Sequence, residues 1–101
     1  MSKQKTSLST SSISNVLSER KNTHGDFKKG AEIEQHLKDI FRKSTNWNKI
    51  EPYKKITLDL IALKISRILE GDSDFEDHWV DINGYVNRTL EVIEDEGKIN
   101  E

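Results

Sequence analysis

The segment Pro52 to Glu70 limits the fold of this chain more than any other. Stepped at 100° per residue, Ile56, Leu60 and Leu63 fall on one side of a helix, and Ile61, Ile65 and Ile68 on the other. A helix that is apolar nearly all round cannot lie on the surface of a small domain. It must be central in a bundle or shared with a second subunit. Pro52 suits its first turn, where a missing N–H costs nothing, and Gly71 suits its end. Asp59, Lys64 and Arg67 interrupt the apolar surface, and each needs a partner or a ligand.

The flanking sequence supplies further helices. Phe75, Trp79, Ile82, Val86, Leu90 and Ile93 are spaced by four, three, four, four and three, which predicts a fourth helix from Phe75 to about Asp95, capped by Asp72-Ser73-Asp74. A second helix is expected from Phe27 to Arg42, with Phe27, Gly30, Ile33, Leu37, Ile40 and Phe41 as its apolar arc. A short first helix should begin at Ser11 or Ser12, place Ile13, Val16 and Leu17 on one face, and stop at Gly25, with Asp26 capping the next. Ser44 to Glu51 is a polar connection around Trp47. Residues 1–10, rich in Ser, Thr and Lys, read as a disordered tail ahead of a single helical domain over 11–97. No internal repeat and no hairpin signature is present, so the fold class is all-α, a small bundle of three long helices and a short one.

Composition narrows the function. Charged residues make up 34% of the 101 and hydrophobic residues 33%, which suits long helices with solvated faces. The net charge of −2, with acids and bases interleaved, gives no footprint for direct nucleic-acid binding. With no cysteine, disulfides, zinc–thiolate sites and cysteine nucleophiles are excluded. No apolar run approaches a membrane span, and Met1 to Ser12 lacks the apolar core of a signal peptide; a cytoplasmic setting is expected. There is no P-loop, no dinucleotide-binding glycine pattern and no glycine-flanked serine.

Chemistry-bearing residues concentrate in two stretches, Glu19 to Phe27 and Asp77 to Tyr85. Asp77 and Asp81, four apart on one helix, face the same way; they form either a solvated acidic flank or a pair for Mg²⁺. Gly84, mid-helix, costs about 1 kcal/mol relative to alanine and suggests close approach of a helix or ligand. Lys64 and Arg67 either pair with Asp77 and Asp81 or receive a phosphate, for which arginine offers a planar fork and lysine a point charge. His24, at a loop entering a helix, is a candidate phosphate contact or general acid, and Arg20 lies close enough to join it. Glu34 is a third candidate metal carboxylate, with a salt bridge to Lys38 as its structural alternative.

Taken together, Glu19-Arg20, Thr23-His24-Gly25-Asp26-Phe27, Lys64-Ile65, Arg67-Ile68-Leu69, Gly71-Asp72 and Asp77-His78-Trp79-Val80-Asp81-Ile82 with Gly84-Tyr85 resemble a family of small all-helical phage and prophage domains. The resemblance spans roughly residues 13–88. A similar segment occurs in the P-loop-less nucleotide kinase of some podoviruses, which implies nucleotide handling. More distantly, Asp81-Ile82 resembles the acidic helix of MazG-type nucleoside triphosphate pyrophosphatases. Those enzymes hold their metal with two acidic pairs; here position 78 is histidine, and Lys64 and Arg67 stand where other acids would be.

The expectation is a phage-type nucleotide-binding helical protein, too apolar on its third helix to be monomeric and therefore a homo-oligomer. Arg20, His24, Lys64 and Arg67 would bind phosphate, His24, Asp77 and Asp81 would serve any catalysis, and Asp77, Asp81 and Glu34 would serve magnesium. Turnover would be phosphotransfer or metal-dependent pyrophosphate release. The competing expectation is a noncatalytic helical interaction module.

Overall fold

The computed structural model describes residues 10–97, and among these every regular element is helical. They are α1 (Thr10–His24), α2 (Phe27–Lys43), a 3₁₀ turn (Trp47–Lys49), α3 (Pro52–Glu70) and α4 (Glu76–Asp95). The expectation for the tail falls outside the described residues, except that Thr10 already belongs to α1.

The boundaries follow from local chemistry. At Gly25, φ is +83°, a conformation costly for any residue with a Cβ, and its N–H closes α1 on Lys21 O at 2.9 Å. Asp26 then caps α2, with Oδ1 accepting from Lys28 N at 2.9 Å and Lys29 N at 3.1 Å. Those bonds, Lys29's foremost, hold the Asp26 carboxyl below its usual range. Pro52 occupies the start of α3, and Gly71 N–H ends it on Arg67 O at 2.8 Å.

The start of α4 departs from expectation. Its cap position is Phe75, without a side-chain cap; Asp72 Oδ1 is instead spent on Asp74 N at 2.9 Å, turning the chain before the helix.

α3 is central, as its composition requires. α2 packs along one side of it and α4 along the opposite side. Arg42 of α2 grips Asp59 with two bonds of 3.2 and 2.9 Å, and Trp47 is buried against Phe41 with Arg42 and Lys55 over its ring. On the α4 side, the Thr57 and Thr89 hydroxyls meet at 2.7 Å and Lys64 meets Asp81 at 2.6 Å. Asp59 and Lys55 lie about 180° around α3 from Thr57 and Lys64, so the three helices form one layer rather than a closed bundle. α1 lies across one side of this layer, near the C-terminal half of α3.

This openness corrects the expected core. Only Trp47 and Ala62 are buried apolar residues among those described. Trp79, read as part of a core stripe, is 53% exposed, and Val86 and Leu90 of the same stripe are also exposed. The residues of α4 that face α3 lie a quarter turn away, through Phe75, His78, Ile82, Tyr85 and Thr89. Phe27 and Ile40 of the expected α2 arc are exposed as well, Phe27 at 90%. The radius of gyration is 17.7 Å, against about 13 Å for a compact domain of this length.

Candidate functional site

α1, α2 and α3 enclose an open cleft of about 660 Å³. Arg20 and His24 line it from α1, Phe27 and Glu34 from α2, and Leu63 and Arg67 from α3. One part of its wall is apolar and another is cationic.

The cationic part depends on a backbone joint between the end of α1 and the α3–α4 connection. Thr23 O accepts from Asp72 N at 3.1 Å and from His78 Nε2–H at 2.8 Å. The contact is so tight that a Cβ on Gly71 would stand 2.4 Å from Thr23 O, and one on Gly25 2.4 Å from the Glu70 carbonyl. His78 is wholly buried, edge-on to His24 with ring centroids 5.0 Å apart and 4.9 Å from Phe75. Its Nδ1 has no partner among the described residues.

This joint fixes His24. Thr23 Oγ1 lies 3.2 and 3.3 Å from the carbonyls of Glu19 and Arg20, to which it donates. It lies 2.6 Å from His24 Nδ1, whose N–H it can then accept. That arrangement leaves Nε2 for a ligand. Burial, then the charges of Arg67, His78, Arg20 and Lys64, hold the His24 pKa below its ordinary 6.5.

Arg67 is half-buried and its guanidinium forms no hydrogen bond or ion pair among the described residues, although its charge is felt by both His24 and Asp81. The Arg20 guanidinium, exposed on the same wall, also lacks such a partner among the described residues. This wall is therefore cationic, which suits an anion; two guanidinium forks and an imidazole are groups that recognise phosphate.

Arg20, His24 and Arg67 thus come together, with Glu34 on the cleft's lining; the remaining candidates stand elsewhere. Lys64, 8% exposed at its side chain, spends its ammonium on Asp81, and this bond, foremost among its causes, lowers the Asp81 pKa. Glu34 takes Lys38 at 2.6 Å, the structural alternative for that residue. Asp77 is exposed, forms no bond among the described residues and does not line the cleft. Gly84 has open space where a close approach was expected, with nothing within 4 Å of an added Cβ. No group of three or more metal-ligating side chains occurs among the described residues. No helix there is long and apolar enough to cross a membrane.

Sequence reasoning passed over His78 and Thr23. The spacing Phe75, His78, Ile82, Tyr85, Thr89 is helical, but its polar members hid it behind the more apolar stripe beside it.

No curated protein and no solved structure matches this chain. A family model described as a domain of unknown function, DUF6378, matches residues 9–93, and the chain belongs to that family.

Proposed function

We propose that the protein binds a nucleotide through its phosphate in the α1–α2–α3 cleft. The observation that carries this reading is Arg67, a half-buried guanidinium without an ion pair among the described residues, beside Arg20 and His24. In this reading the two arginines take phosphate oxygens and His24 Nε2 donates a further bond once protonated. The apolar wall at Leu63 and Phe27 receives the base or sugar. Lys64 acts indirectly, by holding Asp81. The phage-type role and the kinship with nucleotide enzymes belong to the same proposal, supported by the sequence resemblance over Arg20 to Phe27 and Lys64 to Tyr85.

Magnesium enters this proposal as an ion carried by the nucleotide's own phosphates. Glu34 and Asp81 are each held by a lysine, so of the three candidate carboxylates Asp77 alone is unengaged. A homo-oligomeric state is also part of the reading, supported by the exposure of Trp79, Leu69 and Phe27. The same exposure favours a second reading, a noncatalytic interaction module in which Lys64–Asp81 and Arg42–Asp59 are purely structural.

A thermal-shift screen of nucleoside mono-, di- and triphosphates, with and without Mg²⁺, separates the two. A ligand at about 100 times its dissociation constant adds about 2.7 kcal/mol. Arg67→Met should remove that stabilisation while leaving the ligand-free transition nearly unchanged, because no carboxylate depends on Arg67 alone. Chromatography of the same mixtures reads turnover by phosphotransfer or pyrophosphate release. Stabilisation by no nucleotide, or stabilisation indifferent to both Arg67→Met and Arg20→Met, would sink the cleft reading.

A further inference from the structure

α1 has little of its own to keep it helical. Eight of its 15 residues are Ser, Thr or Asn, whose side chains compete with the helix for backbone hydrogen bonds. No acid stands in its first turn to oppose the helix dipole. A helix of this length and composition is marginal in water and depends on docking. Yet its apolar face is only partly covered, with Ile13, Val16 and Leu17 exposed by 45%, 44% and 62%. α1 is tied to the layer at its last turn, where Thr23 O takes the Asp72 N–H and the His78 Nε2–H. A tie at one end leaves the preceding turns able to open separately, as elements with few buried contacts do.

The charges across the cleft oppose docking further along. Arg20 and Lys21 line it from α1 and Arg67 from α3, and the charges of both arginines reach the His24 ring. Like charges on facing walls push α1 away from α3 until something negative lies between them. We propose that the anion held by the cleft is the second fastening of α1. It joins Arg20 and His24 to Arg67, so α1 is docked along its length when the cleft is filled and loosened ahead of Arg20 when it is empty. This rests on the reading of the cleft as a phosphate site. The coupling runs both ways, since whatever the anion adds to the docking of α1, docking adds to the affinity for the anion. Leu17, which lines the cleft, closes on the ligand, and the loosened helix gives up Ile13, Val16 and Leu17 to solvent. α1 thereby carries the state of the cleft to the surface of the protein.

Amide hydrogen exchange of the full chain tests this, with inorganic phosphate as the probe and chloride at matched ionic strength as the control. Phosphate should slow exchange over residues 14–22 by at least about fivefold, the lower end of ordinary coupling between sites. Trypsin should cut more slowly after Arg20 and Lys21 under the same conditions. Arg67→Met separates the two forces on α1. Without phosphate it should slow exchange in α1, because the facing charge is gone, and phosphate should then add no further protection. Phosphate that raises the melting temperature through Arg67 yet leaves exchange in α1 unchanged would overturn the inference and leave the cleft reading standing. Phosphate that neither stabilises the protein nor slows α1 would overturn both. Unchanged or faster exchange of α1 in ligand-free Arg67→Met would also overturn the inference, since Arg67 would not then be holding α1 off.

Discussion

The joint that sets His24 in the cleft can be tested with three glycines that an alanine would affect differently. Alanine at Gly25 meets two penalties. Its φ of +83° costs a residue with a Cβ about 1–2 kcal/mol. The new methyl would also stand 2.4 Å from the Glu70 carbonyl carbon and oxygen, which are backbone atoms and cannot rotate aside. Overpacking of this kind costs about 1–3 kcal/mol. The smaller entropy of an unfolded alanine returns about 0.4–1 kcal/mol. The net loss should be about 2–4 kcal/mol, against a total of about 5–15 for a domain of this size. Gly97, with φ of +71° and open space around it, carries only the first penalty, at a helix end that frays; Gly97→Ala should cost no more than about 1 kcal/mol. Gly84 has neither strain nor neighbours, so Gly84→Ala should stabilise α4 by about 0.5–1 kcal/mol. Urea unfolding followed by circular dichroism gives all three on one scale. If Gly25→Ala cost no more than Gly97→Ala, the end of α1 would not be pressed against the α3–α4 connection, and the placement of His24 would fall with it. A destabilising Gly84→Ala would mean that something packs on the flank of α4 where the structure has open space.

Trp47→Ala should cost about 3–5 kcal/mol, because Trp47 is the one large apolar side chain buried among the described residues; denaturant midpoints check this. Asp81→Asn should destabilise more than Lys64→Met, since the first strands an ammonium that is 8% exposed and the second leaves a carboxylate that water reaches; equal losses would contradict the asymmetry. The depressed pKa of His24 means that the unfolded chain takes up this proton first. Its contribution to stability is complete above about pH 6.5 and is lost as the pH falls through the folded value. An anion beside Arg67 should reverse the shift, so NMR titration of His24 should give a higher pKa with inorganic phosphate or nucleotide than without; an unchanged pKa would refute the contact. Asp81 has the depressed pKa of a paired carboxylate, so its contribution should hold above about pH 4 and fade in acid, a loss that Lys64→Met should remove from the stability profile.

The uneven legibility of the chain has physical causes. Helices were readable because their signals are local: proline at the first turn of α3, Asp26 at a cap, Gly25 and Gly71 at ends, and apolar spacings near 3.6 between them. The central place of α3 was also readable, since Ile56 and Ile65 point to opposite sides of one helix and both call for cover. Of the candidate site, Arg20, His24 and Arg67 were nominated by type and setting, and the fold does bring them to one cleft.

Tertiary structure decided the rest. Periodicity gives the direction of a side chain relative to its own helix, not which helix lies beside it; Trp79 and His78 are neighbours on α4, and the packing buried the polar one and exposed the indole. It also chose among partners that the sequence left equal, giving Asp81 to Lys64 and leaving the Arg67 guanidinium without an ion pair among the described residues. The His24–His78 contact joins residues 54 positions apart through Thr23 O, and no local pattern encodes a hydrogen bond between a ring and a distant carbonyl. The sequence could set how much apolar surface there was to bury, because that depends on composition and period alone. Where the surface lies, and that three helices form a layer with one side open, depends on long-range packing, which only the folded chain resolves.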